Sequence, residues 1–269
     1  MANTAEAFPQ GMLPFTAHRV ELSPGVWTTP EWGDDPLLAP STQILIDRAG
    51  GSLRGKRMLD VGCLEGGYAA AFARLGAREA VGVEIRDSNL ERCLFLKEQL
   101  RLDNLIFRKG DAKQISRETL GAFDIVFAAG LLYHLDDPFD FIRRAHEVTD
   151  DLLLLDTHVA VPHAWAHACA DRMTARVWGG RSYAGREMTE YPPDLSADEL
   201  DQCRWSSHGN PTSFWLTEDS LVDALWDVGF PYVSKVYMKR PYRDPEKCSW
   251  ECRVIVVAKK AWTTSSLGR

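Results

Sequence analysis

From Gly55 to Asp156 the chain alternates short apolar runs with stretches of helical period, and this alternation restricts its fold more than any other feature. RMLDV at 57–61, AVGVEI at 80–85, residues 104–108, FDIVFAA at 123–129 and LLLLD at 152–156 read as strands. Between them lie predicted helices. One covers 68–75 and opens at Gly66-Gly67; another covers 88–102, with Leu90, Cys93, Leu94, Leu96 and Leu100 along one side. A third runs to Val148 from Asp137-Pro138, with Asp as its cap and Pro in its first turn. Strands that are apolar nearly end to end need cover on both faces, and strands separated by helices run parallel. Helical alternation returns at 217–228, where Gly229 stops it, and strands follow at 231–239 and 251–259. The expectation is a Rossmann-like, doubly wound α/β fold: a seven-stranded mixed sheet whose last strand is antiparallel.

The flanks break the pattern. Residues 1–50 hold Pro9, Pro14, Pro24, Pro30, Pro36 and Pro40, too many for a long helix before TQILIDRAG, and form an N-terminal segment. Residues 51–157 and 216–260 make the core, 158–215 an insertion rich in aromatic residues and polar loops, and 261–269 a tail. The insertion carries Trp165, Trp178, Trp205 and Trp215. It follows the fifth strand, so it belongs above the strand ends, where open α/β sheets bind ligands. Composition excludes several classes. With 45% hydrophobic and 26% charged residues the chain is neither disordered nor collagen-like. The balance of 31 basic against 38 acidic side chains, −7 net, argues against broad binding to a phosphate backbone. The uncharged run 157–170 is too short to span a bilayer and contains Pro162, and the N-terminus lacks the pattern of a signal peptide. Six cysteines, at 63, 93, 169, 203, 248 and 252, form no C-x-x-C pair and read as reduced thiols, consistent with a cytoplasmic location and no membrane.

The chemistry begins at Asp60-Val61-Gly62-Cys63-Leu64-Glu65-Gly66, between the first strand and first helix. Gly62 permits a tight turn, and Gly66 admits a ligand to a helix N-terminus. Glu84 ends the second strand, where a carboxylate accepts both hydroxyls of a ribose; Gly110-Asp111-Ala112 follows the third, at the height of an adenine. The spacing is G-x-x-x-G, with Leu64 in place of the middle glycine of a dinucleotide fingerprint, so pyrophosphate binding is disfavoured. Any strand-to-helix turn can carry glycines, but here three elements stand in register.

LDVGCLEG, VGVEI, GDA and FDIVFAAGLLYHLDDP resemble the successive motifs of class I S-adenosylmethionine-dependent methyltransferases. HRVEL-SPGVWTTP followed by SLRGKRMLDVGCLEG is similar to a subgroup of tRNA wobble-uridine carboxymethyltransferase-like and bacterial small-molecule methyltransferases. The resemblance implies S-adenosyl-L-methionine as cofactor, covered by the N-terminal segment including Trp27. It implies Asp60, Gly62, Cys63 and Gly66 at the methionine end, with Glu65 orienting the ammonium group. It places Glu84 and Ile85 at the ribose, Asp111 and Ala112 at the adenine, and the turn containing Ala129 beneath the sulfonium.

Methyl transfer from a sulfonium needs alignment, a dry pocket and, for an oxygen or nitrogen acceptor, a place for the proton. Tyr133, His134, Asp156 and His158 are the candidate bases, with Tyr133, His134 and His158 taken as catalytic; Tyr133-His134 can equally be packing beside the cofactor. Asp156-x-His158 and His163-x-x-x-His167 invite a metal reading, but Pro162 interrupts them and no fourth ligand is evident, so no metal is assigned. Cys248-x-x-x-Cys252 reads as a pair of free thiols. In the insertion, five arginines are offset by four acids, against a base-stacking surface. His208, Asn210, Ser213 and Trp215 instead suit a pocket for a polar small molecule. The favoured reading is methylation of such an acceptor, at oxygen rather than nitrogen. The alternatives are tRNA modification and a non-catalytic cofactor-binding subunit, with oligomeric state left open.

Overall fold

The computed structural model describes residues 14–29, 33–161, 173–192, 194–203, 205–237, 242–244 and 249–261. Two compact units divide these: one runs through Gln114 and includes Phe123–Phe127, the other takes Ile115–Ala122 and the chain from Ala128 onward.

In the first unit a short hairpin of β1 (Glu21–Ser23) and β2 (Val26–Trp27) precedes α1 (Pro40–Arg48). Then come β3 (Arg57–Val61), α2 (Gly67–Arg74), β4 (Glu79–Glu84), α3 (Asp87–Leu100), β5 (Leu105–Lys109) and the start of β6 (Phe123–Ala129). The strands lie in the order β6-β3-β4-β5, all parallel, with Leu59 opposite Val126, Asp60 opposite Gly82 and Glu84 opposite Lys109. Met58, Leu59 and Val61 are fully buried, as are Ala69, Ala70 and Phe72 of α2. The small alanines let this helix lie close on the sheet.

Helix α3 departs from expectation. Leu94 is 52% exposed, and the buried face is Asn89, Arg92, Cys93, Phe95 and Leu96. The cause is the N-terminal segment, which packs Phe15 against Phe95 and accepts the Arg92 Nε–H at the Pro14 carbonyl. The side of the helix that carries Arg92 and Phe95 is thereby covered.

In the second unit α4 (Arg117–Leu120) precedes the end of β6. There follow α5 (Pro138–Val148), β7 (Thr149–Val159), β8 (Thr174–Trp178), β9 (Arg181–Thr189), α6 (Ala197–Gln202) and β10 (Thr212–Leu216). Helix α7 (Glu218–Asp227), β11 (Tyr232–Tyr237), β12 (Tyr242–Asp244) and β13 (Ser249–Lys259) complete it. Beyond β6 the sheet continues β7-β13-β11, with β13 antiparallel to both neighbours and β12 paired to it. Asp137 caps α5 by accepting the Phe139 and Asp140 N–H groups, and Thr217 caps α7 at Ser220 N–H. Gly229, at φ +110°, ends α7. Seven strands thus form the mixed Rossmann-like sheet of the sequence reading, with the last antiparallel.

Two details differ from the sequence reading. Strand β7 extends to Val159 because β13 pairs with it from Leu152 to Val159, so His158 lies inside the strand, opposite Arg253, rather than beyond its end. The stretch read as polar loops holds a three-stranded antiparallel sheet, β10-β9-β8. Its sequence hid this: β9 buries Arg186 and Tyr183 while β8 exposes Val177, an inversion of the usual apolar-in alternation.

Candidate active site

The first unit builds its site from one turn. Gly62 and Cys63 both donate their N–H groups to the Val83 carbonyl, at 2.9 and 3.0 Å, tying the turn to the end of β4. The backbone is left-handed at Gly62 (φ +69°), Leu64 (+52°) and Gly66 (+79°). At Gly66 glycine is required twice over, because a Cβ would lie 2.5 Å from Phe107 Cζ as well as at positive φ. Leu64 adopts the conformation without that freedom, held by its N–H bond to Glu84 Oε2 at 2.9 Å and by the Cys93 thiol on its carbonyl.

The carboxyl groups are buried. Asp60 accepts the Ala69 N–H at 3.1 Å, and burial pushes its carboxyl up to about 8. Burial also raises Glu84, although N–H groups of Leu64, Ile85 and Arg86 on its two oxygens pull the other way. Asp111 accepts the Lys113 N–H at 2.8 Å, Ala112 is buried beside it, and Gly110 N–H reaches the Glu84 carbonyl. Asp60, Gly62, Cys63, Gly66, Glu84, Ile85, Asp111 and Ala112 therefore share linked strand ends. Trp27 sits apart from them, beneath the Arg19 guanidinium at 3.9 Å, lining a cavity of about 170 Å³ with Gly67, Ala71 and Arg74.

Glu65 corrects an expectation. It is fully buried, and both oxygens are committed to the N-terminal segment: Oε1 accepts Thr16 N–H (2.7 Å) and Thr16 Oγ1–H (3.0 Å), Oε2 accepts Ala17 N–H (2.9 Å) and His18 N–H (3.0 Å). Four donors exhaust a carboxylate, so none of its capacity remains for an ammonium group.

The second unit gathers the other candidates. Ala129 ends β6, and Gly130 N–H donates to the Asp156 carbonyl of β7 at 2.8 Å. A 3₁₀ turn at Leu132–His134 then places the Tyr133 ring 4.2 Å from His134, 4.5 Å from His158 and 5.7 Å from Trp215. His158 stacks on Trp215 at 5.2 Å with 15° between the planes. Burial, then the charges of Arg253 and His134, lower the His158 imidazole to about 4, so it is neutral at pH 7.

His134 is oriented by a carboxylate. Its Nδ1 lies 2.8 Å from Glu190 Oε2, which also takes the Ser207 N–H, while Ser213 donates to Oε1. Burial pushes Glu190 up, but its bonds to His134, Ser213 and Ser207 prevail and hold it below the usual range. The Asn210 amide donates to the His134 and Thr212 carbonyls, each at 2.9 Å. Among the described residues, the buried Trp215 Nε1, a donor, and Asn210 Oδ1, an acceptor, have no hydrogen-bond partner. His208 is half-buried in the same loop.

Asp156 is engaged by Arg253 Nε at 2.6 Å, and the described residues contain no group of three metal-ligating side chains. His163, His167 and Cys248 lie outside the described residues. Sequence reasoning missed Glu190, Arg186 and Arg253. Glu190 follows a strand that periodicity did not reveal, and Arg253 meets its partner only through antiparallel pairing.

Against known proteins, the family described as "Methyltransferase domain" matches residues 52–193, more than half of the chain. Ubiquinone biosynthesis O-methyltransferase of Acinetobacter baylyi is 33% identical over 98 residues, covering 36% of this chain and 41% of that protein. Its Bordetella avium counterpart is 31% identical over 121 residues, covering 44% and 48%. The chain thus spans under half the length of these curated relatives. Among solved structures, the N-terminal domain of EvdMO1 with SAH and D-fucose aligns over 84% of both chains, at TM-score 0.63 and 25% identity. Burkholderia thailandensis 1,6-didemethyltoxoflavin-N1-methyltransferase shares the fold, at TM-score 0.53, 16% identity, and coverage of 84% and 79%. The chain belongs to the methyltransferase domain family, with the fold of class I S-adenosylmethionine-dependent methyltransferases.

Proposed function

We propose that this chain methylates a hydroxyl of a polar small molecule, with S-adenosylmethionine as donor. The residues of the first unit suit that cofactor. Asp60, Glu84 and Asp111 supply acceptors for a ligand rich in donors: an ammonium group, a ribose diol and an adenine amine. Glu84 Oε2 takes the Leu64 N–H, and a carboxylate oxygen can accept a second hydrogen bond, here from a hydroxyl. Bound S-adenosylmethionine supplies an electrophilic methyl group on sulfur.

The observation that carries the oxygen assignment is the His134–Glu190 pair. With Nδ1–H donated to the carboxylate, Nε2 carries the lone pair and can take the proton of an attacking hydroxyl. Glu190 then stabilises the imidazolium, as the acid of a catalytic triad does. His158, neutral, stacks on Trp215 in the same cluster of rings. Trp215 Nε1–H and Asn210 Oδ1 offer one donor and one acceptor, the complement of a hydroxyl. The EvdMO1 domain, solved in the presence of SAH and D-fucose, and the O-methyltransferases among the relatives support an acceptor of this kind.

The test supplies deuteromethyl-labelled cofactor with a panel of sugars, phenols and amines, then locates the label by NMR. Label on oxygen is expected; label found only on nitrogen would refute the proposal.

A further inference from the structure

We propose that Glu65 is a positioning residue for the cofactor, a latch that fastens the N-terminal segment to the turn Gly62–Gly66. The inference rests on the reading of that turn as the S-adenosylmethionine site. Its starting point is an oddity of placement. A fully buried carboxylate beside the glycine turn accepts four hydrogen bonds from a segment 47–49 residues upstream.

The latch has three parts. Glu65 accepts the consecutive N–H groups of Thr16, Ala17 and His18 and the Thr16 hydroxyl. Arg92, also fully buried, stands 3.9 Å from Glu65 Oε1 and donates to the carbonyls of Pro14 and Ser88, joining segment and α3 around the same charge. His18 returns the contact, its Nδ1 accepting the Gly67 N–H at 3.1 Å where α2 begins. The segment itself is braced, since the Thr28 hydroxyl donates to the His18 carbonyl and accepts the Val20 N–H.

The consequence for the cofactor runs through the neighbouring residue. Leu64 is left-handed, a conformation that a residue with a side chain keeps only where its surroundings dictate it. Its N–H holds Glu84, the carboxylate assigned to the ribose. Glu65, next in the chain and immovable in its socket, fixes one end of that strained residue. Releasing the latch loosens the methionine-end turn and the Glu84 carboxylate together. By linkage, a cofactor that settles the turn must also settle the segment.

The experiment compares the full-length wild type with Glu65→Gln, whose amide oxygen can keep at most two of the four bonds. Calorimetry with S-adenosylhomocysteine should show affinity reduced roughly 10–100-fold, the effect of breaking a buried charged network. Hydrogen exchange at Ala17 and His18 should slow on adding the ligand in the wild type and no longer respond in the variant. A purely structural role would lower stability without abolishing that response. Unchanged affinity in Glu65→Gln overturns the latch alone. So does wild-type exchange at Ala17 and His18 that ignores the ligand, a result available even if the variant does not fold. A wild type that binds no S-adenosylhomocysteine overturns the cofactor reading and the latch with it.

Discussion

The two halves of the candidate machinery are held by different means. In the first unit the carboxylates face backbone: Glu84 takes N–H groups from Leu64, Ile85 and Arg86, and Asp111 takes that of Lys113. In the second unit side chains also hold side chains: Glu190, besides the Ser207 N–H, pairs with His134 and Ser213, and Asp156 with Arg253. Backbone donors are available to any sequence that makes the turn, so the first arrangement suits a constant ligand. Side-chain partners change with each substitution, so the second can be altered without disturbing the strand ends of the first unit.

The contrast can be broken at three places. The largest effect is expected at His134. Replacing it with Ala should lower kcat by about 10²–10⁴-fold, the range for a lost general base, while calorimetric affinity for S-adenosylhomocysteine stays unchanged. A parallel loss of cofactor affinity would show that the halves are not separable. Next comes Glu84→Ala, which should weaken cofactor binding by about 1–3 kcal/mol through loss of charge-assisted hydrogen bonds. Acceptor KM, measured at saturating cofactor, should hold. A changed acceptor KM would carry the influence of Glu84 beyond the donor.

The smallest effect concerns pH. His158 titrates near 4 in the folded protein against 6.5 as its ordinary value. A depressed histidine stabilises the fold in full above its unfolded pKa, and that contribution fades as pH falls from about 6.5 through about 4. Thermal melts of wild type and His158→Gln should therefore converge across that window. An unchanged difference would mean that the imidazole titrates normally. The sharper corollary is that no acid limb of kcat/KM between pH 5 and 7 belongs to His158.

The same contrast explains what could be read in advance. Asp60, Gly62, Gly66 and Glu84 could be placed on linked strand ends in advance because strand, turn and helix follow each other within a few residues. Tyr133, His134, His158 and Trp215 were legible as candidates, and the structure brings their rings together. Their organiser was not. Glu190 is 56 residues from His134, and Arg253 is 97 from Asp156, so both pairings depend on the register of strands that lacked a clean alternation. Glu65 was misread for a related reason. Beside a glycine turn an acid looks ligand-facing, and nothing local discloses that its partners lie in the proline-rich segment at Thr16–His18.

Leu64 carries a consequence for how such proteins are found. Its φ of +52° supplies the bend that a middle glycine would otherwise supply, so the turn keeps its path while its spelling changes. The requirement at this place is a dihedral angle rather than a particular residue. Glycine, asparagine and aspartate can enter it cheaply, whereas valine and isoleucine, branched at Cβ, are shut out. A pattern search that demands glycine there passes over this chain. One that scores each substitution by its tolerance of the left-handed basin retains it.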